Sequence, residues 1–266
     1  MIADFHNDCL TDKANSPELR YRNTVYALFR GTRSRVELLR ILKRFREKGA
    51  NNGFLGLEDV GYLTEENADE FLSVKTVYAS LTWNYENELA GGCLQDHGLK
   101  PRGRKMIRLL NAKKIALDCA HLGEKAFFSA IDISDRVVAS HTCAKAVHEH
   151  PRNLDDRQIA EIVERNGLIG ITFVGGFLSA EPCVKDIFIH MDYCVQRFGF
   201  KYFCFGTDYF GSDDIPKGLD SYDEAEKNLR PLFERAGYSE EAINAIFYEN
   251  LCKFLHNRSE ANFAKP

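Results

Sequence analysis

The chain has 266 residues, 44% hydrophobic and 28% charged, with a formal net charge of −4. That is ordinary globular composition, and the length suits one α/β barrel of about 250 residues. The charge gives no electrostatic footprint for nucleic acid or an anionic membrane, and no apolar run reaches the roughly 20 residues that span a bilayer.

Taken in order, short β-rich apolar runs occur at residues 2–6, 24–30, 54–58, 76–83, 114–118, 136–141, 168–174 and 202–208. Amphipathic stretches lie between several of them: RSRVELLRILKRFREKG, GRKMIRLLNAKK, LDDRQIAEIVERNG and VKDIFIHMDYCVQRFG. Three of these end in Gly, which suits a helix C-cap, and the Asp155-to-Gln158 tetrapeptide reads as a capping box. The segment between the first two runs, NDCLTDKANSPELRYRN, is too polar for a full packing helix. Residues 220–256 read as one or two closing helices. Strands alternating with helices argue for a parallel sheet, and eight strands favour a (β/α)8 TIM barrel. With no linker, repeat or low-complexity tract, residues 1–266 are expected to be a single barrel domain.

Eight cysteines occur without a CxxC pair, most inside apolar runs, which suits buried reduced thiols. No basic region precedes an apolar one at the N-terminus, and ANFAKP is not a lipid-anchor tail. A cytoplasmic protein is therefore expected, in which the acceptor pattern at Asn257 goes unused.

Chemically capable residues gather at the C-terminal ends of the runs, where barrel enzymes carry their catalytic groups. His6 and Asp8 end the first run and Glu58 the third. His121 follows the fifth by three residues, His141 ends the sixth and Asp208 the eighth. Strand periodicity would point His6 and Asp8 to one side. A second His-x-Asp, His190 and Asp192, lies in a helical pattern, where residues two apart diverge by about 200° and cannot share an ion. Singly, each residue has an ordinary role: a satisfied histidine, a capping aspartate, a solvated glutamate. Together they form a mixed N/O donor set suited to zinc, and a shared carboxylate would hold two ions about 3.5–4 Å apart.

Residues 131–173 read IDISDRVVASHTCAKAVHEHPRNLDDRQIAEIVERNGLIGITF. This stretch resembles the membrane (renal) dipeptidase family of the amidohydrolase superfamily, in which Ser-His ends a strand before His-Pro-Arg-Asn-Leu and a helix. FHND, LGLEDVGYL, SLTWNYENELAGG, LDCAH and HMDYCVQRFGFKYFCFGTD resemble further family motifs in the correct order, from residue 2 to about 211. The resemblance implies a metal-dependent hydrolase with two Zn2+ ions. His6 and Asp8 would bind one ion, His121 and His141 the other, and Glu58 would bridge them. Asp208 would handle the proton, and Arg152 would hold the C-terminal carboxylate of a small dipeptide substrate. Without the resemblance, Arg152 reads as a surface cation in a polar loop. Family members are often homodimers, and no interface is readable here.

Several features depart from the family pattern, among them shorter connections around the first two strands. Trp83 stands where mammalian members carry a histidine thought to polarise the substrate carbonyl. Indole has one N–H donor and cannot be an imidazolium, so Trp83 would donate a hydrogen bond or wall the substrate pocket. Thr207 replaces the usual serine, and Cys119-Ala120 replaces a bulkier residue and serine. Two other functions remain open: a metal-dependent amidohydrolase acting on N-acyl amino acids or lactones, and a non-catalytic metal-bound barrel that binds a small ligand. The opening His-x-Asp, rather than His-x-His, disfavours the first.

Overall fold

The computed structural model describes residues 1–11, 23–48, 53–72 and 75–263, with side chains to residue 256 except that of residue 48. Most of the polar stretch after the first run, the glycine ending the first amphipathic stretch and the last three residues lie outside the described residues. So do the side chains of the acceptor pattern at residues 257–259.

The strands are β1 (Asp4–Asn7), β2 (Thr24–Phe29), β3 (Gly53–Glu58), β4 (Thr76–Ser80), β5 (Ala90–Gly92), β6 (Gln95–Leu99), β7 (Ala116–Asp118), β8 (Val137–Thr142), β9 (Ile169–Ile171) and β10 (Phe203–Phe205). The helices are α1 (Arg35–Lys48), α2 (Ala68–Phe71), α3 (Pro101–Ala112), α4 (Glu124–Ile131), α5 (Asp156–Glu164), α6 (Gly175–Leu178), α7 (Val184–Phe198), α8 (Tyr222–Arg235), α9 (Glu240–Asn244) and α10 (Asn250–Phe263). Each apolar run of the sequence holds one strand of a closed barrel, in the order β1–β10–β9–β8–β7–β4–β3–β2, so the fold is a (β/α)8 barrel. The antiparallel β5–β6 hairpin stands apart from that order. No helix among the described residues is long and apolar enough to cross a membrane.

The chain divides into two compact units: residues 1–7 with 139–257, and residues 8–138 with the chain beyond 257. Strand β8 passes through both. Val137 and Val138 pair with Leu117 and Asp118 of β7, whereas Ala139 and Thr142 pair with Ile169 and Ile171 of β9.

In the unit of residues 8–138, α1 buries Leu38, Leu42 and Phe45, one stripe at helical spacing, and Phe45 meets Tyr26 of β2 at 6.3 Å between ring centroids. Helix α3 starts at Pro101, which suits a first helical turn, and buries Met106, Ile107 and Leu110.

The other unit has an aromatic core. Phe205 of β10 meets Phe173 and Phe247 at centroid distances of 5.5 and 5.0 Å, and Phe247 meets Phe233 of α8 at 5.5 Å. The capping box opens α5: Gln158 N–H donates to Asp155 Oδ1 at 2.9 Å, and Asp155 N–H donates to Gln158 Oε1 at 3.0 Å. Helix α7 stops at Gly199, whose φ of 86° favours glycine. The closing helices are α8 and a second helical segment in which α9 passes through a π turn (Ala245–Glu249) into α10.

Two glycines let backbone crowd against β8. A Cβ on Gly170 would lie 2.1 Å from the Ser140 carbonyl oxygen, and one on Gly206 1.9 Å from it. The obstacle is backbone, which cannot rotate away. Gly206→Ala is expected to cost about 1–3 kcal/mol, read as a lower urea midpoint at unchanged m-value; an unchanged midpoint would show that this crowding relaxes freely.

Candidate metal centre

Within residues 8–138, Glu58 is the last residue of β3 and His121 lies three residues beyond β7. Both are buried, and Glu58 Oε1 is 2.6 Å from His121 Nε2. His121 Nδ1 donates to Asn84 Oδ1 at 2.8 Å. Nδ1 is thus engaged, and Nε2 is the nitrogen turned toward the carboxylate, the arrangement that metal-binding histidines commonly adopt. Asp8 is buried and opens a 3-10 turn (Asp8–Leu10). Strand β1 ends at Asn7, so period-two spacing describes His6 but stops short of Asp8. Thr11 Oγ1 donates to Asp8 Oδ1 at 3.3 Å.

Trp83 follows β4 and is 40% exposed. Its ring centroid lies 5.6 Å from that of Phe29, the last residue of β2, and 6.1 Å from that of His121. Beside Glu58, Asp59 has a left-handed backbone (φ 56°), and Asn87 Nδ2 donates to its carboxylate at 2.8 Å. Desolvation raises the Asp59 pKa above the ordinary aspartate value.

In the other unit, His6 and His141 stack with ring centroids 3.8 Å apart. His6 Nε2 lies 3.7 Å from Asp208 Oδ1. Ligand atoms of His6 and His141, and those of His6 and Asp208, fall within 4.8 Å of one another, close enough to share an ion. Ser140 Oγ lies 2.8 Å from His141 Nδ1 and 3.3 Å from His6 Nδ1, so one hydroxyl contacts the same nitrogen of both rings. Asp208 sits at φ 62°, a left-handed conformation that aspartate tolerates better than most residues, and its N–H donates to His6 O at 3.0 Å.

Asp4, two residues before His6, is fully buried. It accepts hydrogen bonds from His6 N–H (3.1 Å), Thr207 N–H (2.8 Å), Thr207 Oγ1 (2.7 Å) and Tyr222 Oη (2.6 Å). Desolvation raises its pKa, and these hydrogen bonds work against that rise. Thr207, where the family pattern has serine, still carries a hydroxyl, and that hydroxyl donates to Asp4.

Arg152 is buried rather than a surface cation. Its Nη2 donates to the His141 carbonyl at 3.2 Å, and its guanidinium lies 5.1 Å from the Phe177 ring centroid. Thr142 Oγ1 donates to the Arg152 carbonyl at 2.9 Å.

His190 is buried in α7 with both ring nitrogens used by backbone: Ala144 N–H donates to Nδ1 at 3.1 Å, and Nε2 donates to Leu178 O at 2.9 Å. Burial lowers its pKa. Asp192 turns instead to Tyr238 Oη, which donates to it at 2.6 Å. This pair is structural, as the helical spacing predicts. Sequence reading passed over Ser140 and Asn84, although both lie inside motifs it quoted, Ser140 directly before His141 and Asn84 directly after Trp83.

The model of the membrane dipeptidase family (peptidase family M19) matches residues 8–264. A curated relative, dipeptidase tcpJ of Claviceps purpurea, is 29% identical over 163 residues, which cover 60% of this chain and 38% of that protein. The matched stretch is thus well under half the length of that relative. Among solved structures, a metallopeptidase from Rhodobacter sphaeroides, liganded with a phosphinate mimic of the dipeptide L-Ala-D-Ala, superposes with a TM-score of 0.78 at 21% identity, covering 96% of this chain and 98% of its own. The dipeptidase AC, a metallopeptidase of family M19, gives 0.81 at 22% identity, covering 96% and 97%.

Ser140→Ala and Asn84→Ala are each expected to weaken divalent-metal binding by about 10–100-fold, measured by competition with a chromogenic chelator. Unchanged affinity in both variants would show that the rings are oriented by something else.

Proposed function

The chain belongs to the membrane dipeptidase family, peptidase family M19, and from that premise we propose that it is a zinc-dependent dipeptidase acting on small dipeptides with a free C-terminal carboxylate. The observation that carries the reading is the pairing of Glu58 Oε1 with His121 Nε2 at 2.6 Å while Asn84 holds Nδ1. A buried imidazole held in this way presents a basic nitrogen and a carboxylate oxygen together, the donor chemistry of a zinc site.

His6 and Asp8 are assigned to one zinc, His121 and His141 to the other, and Glu58 to both. Bound there, the two cations would supply Lewis-acid chemistry, polarising an amide carbonyl and making water nucleophilic near neutral pH. Asp208, 3.7 Å from His6 Nε2, would take a proton from the attacking water and pass it to the leaving amine. Arg152 offers the planar fork that pairs best with a carboxylate, and the stacked Phe177 ring steadies it.

A second reading, a metal-bound barrel that holds a small ligand without cleaving it, draws on Trp83 in place of the mammalian histidine. Metal analysis followed by a panel of L-L and L-D dipeptides with added zinc separates the two. Two metals with turnover are expected, and two metals with no turnover on any dipeptide would sink the dipeptidase reading.

His121→Ala and His141→Ala should each bind one metal fewer by elemental analysis; retention of both ions would overturn the ligand assignment. Arg152→Ala should raise KM for free-carboxylate dipeptides by about 10–100-fold, the effect of losing a hydrogen bond to a charged group. An unchanged KM would remove Arg152 from the substrate site.

A further inference from the structure

We infer that Trp83 and Phe29 form an aromatic subsite that selects a dipeptide with a benzyl-sized or larger apolar side chain. The inference rests on the dipeptidase reading for its substrate and on the geometry of residues 8–138 for its selectivity.

Trp83 is the single tryptophan of the chain. Tyr26, Phe71, Tyr78 and Phe127 of the same unit are fully buried, whereas Trp83 is 40% exposed and Tyr85, two residues on, 57%. The exposure of Trp83 is not the fraying of a surface loop, because Leu81 and Thr82 directly before it are fully buried. An indole held half in water by a buried backbone has apolar area left for another molecule to cover.

Its position says which molecule. Strands β2, β3 and β4 are neighbours, and Phe29 pairs with Glu58 in register at the ends of β2 and β3. Trp83 follows the end of β4 and His121 the end of β7, the next strand round. The indole thus lies between Phe29 on one flank (5.6 Å, 41° between ring planes) and His121 on the other (6.1 Å, 36°). The exposed aromatic surface therefore begins beside the proposed ligands Glu58 and His121, where the reacting amide must lie. An indole has one N–H and no acceptor, so this wall rewards apolar area and offers little to a charged or small side chain. Aromatic ring pairs gain about 0.5–1.5 kcal/mol beyond the area they bury.

Trp83 also reports its own occupancy, because all tryptophan fluorescence of the chain comes from it. The metal-loaded full chain would be titrated with phosphinate dipeptide analogues carrying a benzyl or a methyl side chain, at either position. At least one benzyl analogue should change the emission and bind about tenfold tighter than its methyl counterpart. In Trp83→Ala the benzyl-to-methyl affinity ratio should fall toward one, and Trp83→Phe should keep most of it. Circular dichroism melts would confirm that both variants fold. Equal affinities in the wild-type chain, a failure of both analogues to bind, or a ratio that survives Trp83→Ala would overturn the subsite. Benzyl-selective binding through Trp83 without turnover of any dipeptide would refute the dipeptidase reading and leave the subsite standing. Turnover with the same kcat/KM for every side chain would do the reverse.

Discussion

One buried carboxylate holds the strand ends of the aromatic-core unit in place. Asp4 collects donors from the next residue on its own face of β1, from the segment after β10 and from the start of α8. An ionised carboxylate so buried would be costly without them, since desolvation is the largest influence on it. The sign follows: a carboxyl whose folded pKa is raised stabilises the fold most fully below its unfolded value, and that contribution fades as pH rises through the folded one. These donors, with Asn7 Nδ2 at 3.5 Å, are what keep Asp4 tolerable at neutral pH. They also fix His6 and Thr207 by their backbone N–H groups, and Asp208 follows at a left-handed φ with its own N–H on the His6 carbonyl. Removing the carboxylate would leave several buried donors unmet, at about 1–3 kcal/mol each.

Hydrogen-bond accounting separates the histidines where residue type cannot. For His121, Asn84 takes Nδ1; for His6 and His141, the Ser140 hydroxyl contacts Nδ1 of both. In each ring the second nitrogen is then directed by the first. His190 has the same side chain with both nitrogens committed to backbone, and burial lowers its pKa, which suits a neutral core residue. Its neighbour Asp192 is absorbed by Tyr238 and Gln196. Two His-x-Asp motifs of equal appearance therefore differ in the partners of their ring nitrogens.

The barrel was legible because each strand is an apolar run set off by amphipathic helices, a pattern that burial on both faces requires. The antiparallel hairpin of β5 and β6 was not legible, since β6 reads QDHGL, has no buried residue and owes its pairing to backbone hydrogen bonds rather than to an apolar face. Several strands end sooner than their apolar runs. The ladder stops at Ser80, Ile171 and Phe205, and the remaining apolar residues, with Trp83 and Asp208, turn into the loops. Apolar character marks burial there, and the backbone has already left the sheet. The candidate ligands were legible from their places at strand ends, whereas Ser140 and Asn84 were not, because a hydroxyl or amide that orients an imidazole leaves no periodic trace. The burial of Arg152 was equally hidden, because a loop cation shows its environment only through its contacts.

The pairing of β1 with β10 sets a timetable for assembly. Asp4 lies opposite Phe205, so β1 leaves the ribosome with its partner on that side some two hundred residues behind it. At about 5–20 residues per second that is a wait of roughly 10–40 s. During this interval the strand carrying Phe5 and His6 has one edge without its final partner, a state that invites wrong partners. His6 is thus seated long after it is made, and a chain stalled before Phe205 would hold most of its barrel strands and lack the one that pairs with β1 there.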